Sequence, residues 1–117
     1  MSARSRILRR WLGQLRDPHS RQAFHRLYDA EAACALGQGM LACLDLLGLI
    51  VTERGVLDRR TPRRPLSLAQ IVDRFVAAGF DRATVAAVIR LNDDRRLPLP
   101  RIADWLEQEI RKQETPR

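Results

Sequence analysis

The chain has 117 residues, 45% of them apolar and 30% charged, and carries a formal charge of +7. That length suits one domain with a modest core, and the composition is too apolar for intrinsic disorder. The positive balance excludes no single partner, but it puts nucleic acid, an anionic membrane surface and an acidic protein ahead of others.

Ile7, Leu8, Trp11, Leu12 and Leu15 recur at three- and four-residue spacing, with Arg4, Arg6, Arg9, Arg10 and Arg16 between them. This predicts an amphipathic first helix with a basic face. MSARSRILRRWLGQLR also resembles a mitochondrial presequence, although short basic helices of this kind are common in bacterial proteins. No uncharged run long enough for a secretory signal follows its arginines. Asp17-Pro18 fits a second helix start, with Asp17 as N-cap and Pro18 at the first helical position. That helix would carry Arg21, Phe24, Arg26, Leu27 and Tyr28 on a weaker pattern.

Residues 32–49 form an apolar run that predicts a central helix covered on several sides and broken at Gly37-Gln38-Gly39. Gln38, Asp45 and the glycines Gly37, Gly39 and Gly48 argue against a membrane span. Cys34 and Cys43 are nine apart. On one continuous helix, at about 100° per residue, they would lie on opposite sides and could not be bridged. They read as small buried residues of a reducing, cytoplasmic compartment. His19 and His25 are not at zinc-ligand spacing from either cysteine, so neither metal nor cofactor is expected.

Ile50-Val51-Thr52 and Val56-Leu57, around Glu53-Arg54-Gly55, predict a short β-hairpin that needs support from helices. Residues 58–65 contain Arg59, Arg60, Thr61, Pro62, Arg63, Arg64 and Pro65, a basic loop between an N-terminal and a C-terminal half. Ser67-Leu68-Ala69-Gln70 then fits a capping box, with Leu66 and Ile71 as its hydrophobic staple. Leu68, Ile71, Val72, Phe75 and Val76 continue the helix. Gly79 is placed to end it in the left-handed conformation, with Phe80 folding back on Phe75. Asp81 caps a further helix burying Val85, Val88, Ile89 and Leu91. Pro100 opens a last one with Ile102, Trp105, Leu106 and Ile110 on one side. The sum is a mainly α fold over residues 1–117, a bundle of about five or six helices with room for one short hairpin.

Trp11, Leu15-Arg16, Gln22, Leu27, Cys34-Ala35-Leu36-Gly37, Leu91-Asn92-Asp93 and Ile102-Ala103-Asp104-Trp105-Leu106-Glu107 form an ordered set. It resembles a family of short, uncharacterised phage and bacterial proteins, whose pattern runs W-x3-LRSG-x3-Q-x4-L, then CCLG, then LND and SF-x2-IAD-x-IE. Asp17-Pro18 stands where that pattern has Ser-Gly, Ala35 replaces its second cysteine, and Pro98-Leu99 replaces Ser-Phe. Residues 50–89 are largely outside it. The resemblance implies a phage or prophage origin and no established activity. The missing cysteine argues against an essential redox or metal role.

Four groupings invite a functional reading. The Phe75 to Arg90 region has the form of a helix-turn-helix that would present Arg82, Thr84, Ala86 and Arg90 to a major groove. Phe75 is too large for its place, and the alanine-rich outer face offers few base-reading groups, so a plain helical corner is preferred. Asn92-Asp93-Asp94 lacks the donors and the glycine of a calcium loop and reads as a helix end and a solvated turn. Asp104 and Glu107 share a helix side without any sign of a cleft that would tune them for acid–base work. No nucleophile elbow, Gly-rich phosphate loop or Ser/His/Asp order is present, and an enzyme is not expected.

The arginines remain. A preference for arginine over lysine is also what a GC-rich genome produces, so the weight falls on net charge and placement. Up to Arg26 there are seven arginines against the single acid Asp17, a formal +6. Arg59, Arg60, Arg63 and Arg64 form a second cluster. If the two share a side, Arg6, Arg9, Arg10, Arg60, Arg63 and Arg64 form a surface for a phosphate backbone. Scarce aromatics favour duplex-backbone contact over single-strand stacking. The alternatives are a solvated basic face and a protein-interaction module, an inhibitor or regulator of a host or phage protein, that docks through Trp11 or Trp105. A basic helix lying on anionic lipid is a third. Oligomeric state is left open.

Overall fold

The computed structural model describes residues 2–114. Met1 and the last three residues of the expected 1–117 domain lie outside the described residues. The order is α1 (Ala3–Arg16), α2 (Ala35–Ala42), α3 (Leu44–Leu47), β1 (Leu49–Thr52), β2 (Gly55–Asp58), α4 (Leu68–Ala77), α5 (Arg82–Asp93) and α6 (Leu99–Glu114). Six helices and one hairpin match the mainly α architecture expected.

Helix α1 starts at Ser2, whose hydroxyl accepts from Ser5 N, satisfying one of the free amides at a helix start. Ile7, Trp11, Leu12 and Leu15 are buried on one stripe. Trp11 sits at the centre of the core. Its Nε1 donates to Ala35 O at 2.8 Å, and its ring lies 5.0 Å from Phe75 and 5.6 Å from Phe80, centroid to centroid. Helix α2 approaches that indole closely at Gly39, where an added Cβ would lie 2.7 Å from Trp11.

Two expectations fail between α1 and β1. Residues 18–28 form no helix. Asp17 caps the end of α1, its carboxylate accepts from His19 N at 2.8 Å, and the chain turns away and returns to Ala33 through isolated bridges from Gln22 and Tyr28. The reason is where its backbone groups bond: Ala23 N donates to Ala33 O, Ala33 N to Arg21 O, and Cys34 N to Leu27 O. These partners replace the helical ladder, and too few apolar residues recur there to favour a helix. The second failure is the central helix. It begins only after Cys34, whose Sγ accepts from Gly37 N, and it breaks at Cys43 rather than at Gly37-Gln38-Gly39. Both glycines stay helical because each admits a close neighbour; a Cβ at Gly37 would lie 1.9 Å from Leu27 O. Cys43 is buried and its thiol donates to Ile7 O at 3.7 Å. Both cysteines are free. Among the described residues no helix is long and apolar enough to cross a membrane.

The hairpin pairs Leu49 with Asp58 through Thr52 with Gly55. Gly55, at φ +118°, supplies the left-handed residue that its tight turn requires. At α4 the capping box is present in full: Ser67 Oγ accepts from Gln70 N, and Gln70 Oε1 accepts from Ser67 N. The helix ends in a Schellman closure, Phe80 N donating to Phe75 O and Gly79 N to Val76 O, with the two phenyl rings 6.0 Å apart. Helix α6 starts at Leu99, one residue before the expected Pro100. One continuous apolar cluster joins α1, α2, α4, α5, α6 and the hairpin.

Candidate nucleic-acid interface

A guanidinium that no carboxylate in the protein holds is the more readily available to a phosphate, so the arginines divide by their partners. Arg4 pairs with Glu114, Arg21 with Glu31, Arg26 with Asp29 and Arg82 with Asp73. Arg16 donates to both Asp104 (3.0 Å) and Glu107 (3.1 Å). The Asp104 and Glu107 pair thus acts as a clamp between α6 and α1, and it raises the Arg16 pKa further.

Of the six arginines expected to bind, Arg10 is held by Asp45 at 2.8 Å. That ion pair keeps the Asp45 carboxyl below its ordinary pKa. Arg6, Arg9, Arg60, Arg63 and Arg64 are exposed, and their side chains have no partner among the described residues. Arg6, Arg9 and Arg10 share the outer face of α1 by their spacing of three and four.

The basic loop is pinned by one carboxylate. Asp58 accepts from Arg60 N (2.8 Å), Thr61 N (2.9 Å) and Thr61 Oγ1 (3.3 Å), and it pairs with Arg74. The Arg74 guanidinium, then the two amides, hold the Asp58 carboxyl far below the usual carboxylate range. Arg74 also donates to Leu47 O at 3.0 Å. Asp58, Thr61, Arg63, Arg64, Leu66 and Arg74 line an open cleft of about 600 Å³. With Asp58 already holding its donors, the two unpaired guanidinia of Arg63 and Arg64 set the charge at its rim.

Each cluster has one tie to helix α3 or its C-cap. Arg10 lies on Asp45, and Arg59 N donates to Gly48 O at 2.9 Å. Those two anchors are three residues apart, one helical turn. From them Arg6 and Arg9 lead away along α1, and residues 60–64 lead away along the loop.

The other groupings resolve into structure. Thr84 is 3% exposed and accepts from Gln113 Nε2 at 2.7 Å, while Arg82 is paired to Asp73. Of that set Thr84 is thus turned into the protein and Arg82 is taken by an ion pair, Ala86 is half-buried, and Arg90 stands exposed without a partner among the described residues. Trp11, fully buried, has no face left for a docking partner, because helix α1 needs it to fill the core. Trp105 is half-buried. Among the described residues no three His, Cys, Asp or Glu side chains gather to hold a metal ion.

Asn92 has a role that the sequence reading missed. It is fully buried. Its Oδ1 accepts from Gln22 Nε2 and Ala35 N, each at 2.9 Å, and its Nδ2 donates to Ala23 O (2.9 Å) and Asp93 Oδ1 (2.8 Å). Gln38 adds bonds to Arg21 O and Ala33 O. Together the two amides hold residues 17–34 against α2 and α5. The signal was available: Asn92 follows Val85 and Val88 at helical spacing and so falls on the buried stripe. Trp11, Gln22, Leu27, Cys34, Ala35, Asn92 and Asp93 all belong to the ordered set read from the sequence, and here they converge on one structural knot. No family model, curated protein or solved structure matches the chain.

Proposed function

We propose that the protein is a non-enzymatic accessory protein, of the phage or prophage kind its sequence pattern resembles, that grips the backbone of nucleic acid through Arg6, Arg9, Arg10, Arg60, Arg63 and Arg64. The observation that carries the reading is that five of these six are exposed without a carboxylate partner and fall in two groups, on α1 and in the 59–64 loop, whereas Arg4, Arg16, Arg21, Arg26, Arg74 and Arg82 are each held by at least one carboxylate. Phosphates would displace only water and counterions from the unpaired set. The non-enzymatic part rests on the carboxylates, since Asp29, Asp45, Asp58, Asp73, Asp104 and Glu107 all serve ion pairs and loop turns. The protein-docking alternative loses Trp11 to the core and keeps Trp105.

The test is fluorescence anisotropy of labelled duplex DNA and structured RNA across a salt series. Each phosphate neutralised should contribute about 0.9 to the slope of log affinity against log salt. Reversing Arg6, Arg9, Arg60, Arg63 and Arg64 to glutamate should flatten that slope and lower affinity at least about tenfold. Unchanged affinity in the reversed protein sinks the reading.

A further inference from the structure

The groove between α5 and α6 is a second, differently built site. Ala87, Arg90, Leu91 and Asp94 line it from α5, Arg95 from the connecting loop and Trp105 from α6, around about 320 Å³. That volume lies at the small end of ligand clefts. Arg90 and Arg95 are exposed and their side chains have no partner among the described residues. Arg101, equally exposed and unpaired, precedes Trp105 by four residues and so shares its helix face. Arg90 and Arg95 therefore line the groove beside the indole with the carboxylate of Asp94, and Arg101 and Glu109 stand about one helical turn to either side of Trp105.

Trp105 is also distinguished from the other aromatic rings. Trp11, Phe75 and Phe80 stack on one another in the core, Tyr28 packs against it, and Phe24 holds the Arg96 guanidinium 4.3 Å from its centroid. Trp105 likewise packs against the core along one side, but it also lines the open groove, and among the described residues no ring or guanidinium stacks on it. A half-buried indole beside unpaired arginines suits a ligand that is flat and anionic at once. A nucleobase with its flanking phosphates has that chemistry, and every base offers a π-face.

We propose that this groove stacks one unpaired nucleotide of a single strand, the base on the Trp105 indole and the adjoining phosphates on Arg90, Arg95 and Arg101. The proposal rests on the nucleic-acid reading above but uses a different set of residues, so the two can fail separately.

The experiment titrates the full-length protein with a short oligothymidylate and, in parallel, with a blunt duplex, reading tryptophan emission. Because Trp11 is sealed in the core, a change reports Trp105. Quenching is expected with the single strand and little with the duplex. Trp105→Ala should weaken oligothymidylate binding about tenfold and leave duplex binding alone, with Trp105→Phe restoring most of it. Arg90→Ala and Arg95→Ala, at exposed positions, should each reduce the salt slope by about one. If emission is unmoved and Trp105→Ala binds the oligothymidylate like the parent while duplex binding persists, the groove proposal is overturned and the backbone reading stands. If quenching by the single strand survives reversal of Arg6, Arg9, Arg60, Arg63 and Arg64 while duplex affinity is also unchanged by it, the groove is supported and the backbone reading falls. A glutamate-rich peptide carrying one leucine that quenches Trp105 where oligothymidylate does not would assign the groove to a protein partner instead, also overturning it.

Discussion

Two irregular stretches, residues 17–34 and residues 59–66, are held in opposite ways. The first is tied from inside by the buried amides of Asn92 on α5 and Gln38 on α2, which donate to its carbonyls at Arg21, Ala23 and Ala33, while Asn92 accepts from the Gln22 side chain. The second is tied from its own root by Asp58, which accepts from the amides of Arg60 and Thr61 and leaves the arginine side chains exposed. A loop held by buried groups becomes part of the core, while one held at its base keeps its tip for something else. The contrast separates a stretch that builds the fold from one free to meet a partner.

The sharpest way to break that contrast is Asn92→Leu. It keeps the branched shape but leaves Ala35 N and Ala23 O without their partner and the Gln22 amide with only Leu97 O, and should cost about 4 kcal/mol in urea unfolding. If residues 17–34 loosen in hydrogen exchange while nucleic-acid affinity persists, the division holds; equal loss of both would erase it. A smaller effect is expected from Gly37→Ala, which drives a methyl group into Leu27 O. Overpacking against backbone should cost about 2 kcal/mol, net of the roughly 1 kcal/mol that alanine gains in helix propensity.

A third effect, centred on the loop, is expected from Asp58→Asn. It should speed amide exchange at Arg60 and Thr61, weaken nucleic-acid binding by letting Arg63 and Arg64 wander, and lower the unfolding midpoint, because the depressed folded pKa means that the charged carboxylate stabilises the fold. The parent protein should show the same loosening in acid. Because the folded Asp58 pKa lies below its ordinary 3.8, its anchoring is complete above that value and is lost as pH falls toward the folded pKa. Exchange at these two amides that is flat down the acid limb would contradict the anchoring role.

The same contrast marks what could be read without coordinates. The capping box at Ser67 and Gln70, the closure at Gly79 and Phe80, and the hairpin are local signals in which neighbouring residues satisfy one another, and all appear where expected. Residues 17–34 depend on Asn92, about 70 positions away from Gln22, and a side chain that bonds to backbone leaves no periodic trace. Of the candidate interface, the arginine clusters were legible as sequence. Which guanidinia are paired was not, because pairs such as Arg16 with Asp104 and Arg4 with Glu114 link opposite ends of the chain.

The two buried thiols give the molecule a clock of its own. Alkylating reagents attack the thiolate, and burial pushes the Cys43 thiol up to about 11 and raises that of Cys34, so the native chain should be silent toward iodoacetamide. Cys34 sits where residues 17–34 join α2, and Cys43 lies under α1. Their relative labelling rates would therefore time the detachment of the tied stretch against the opening of the core, with no residue added to the chain.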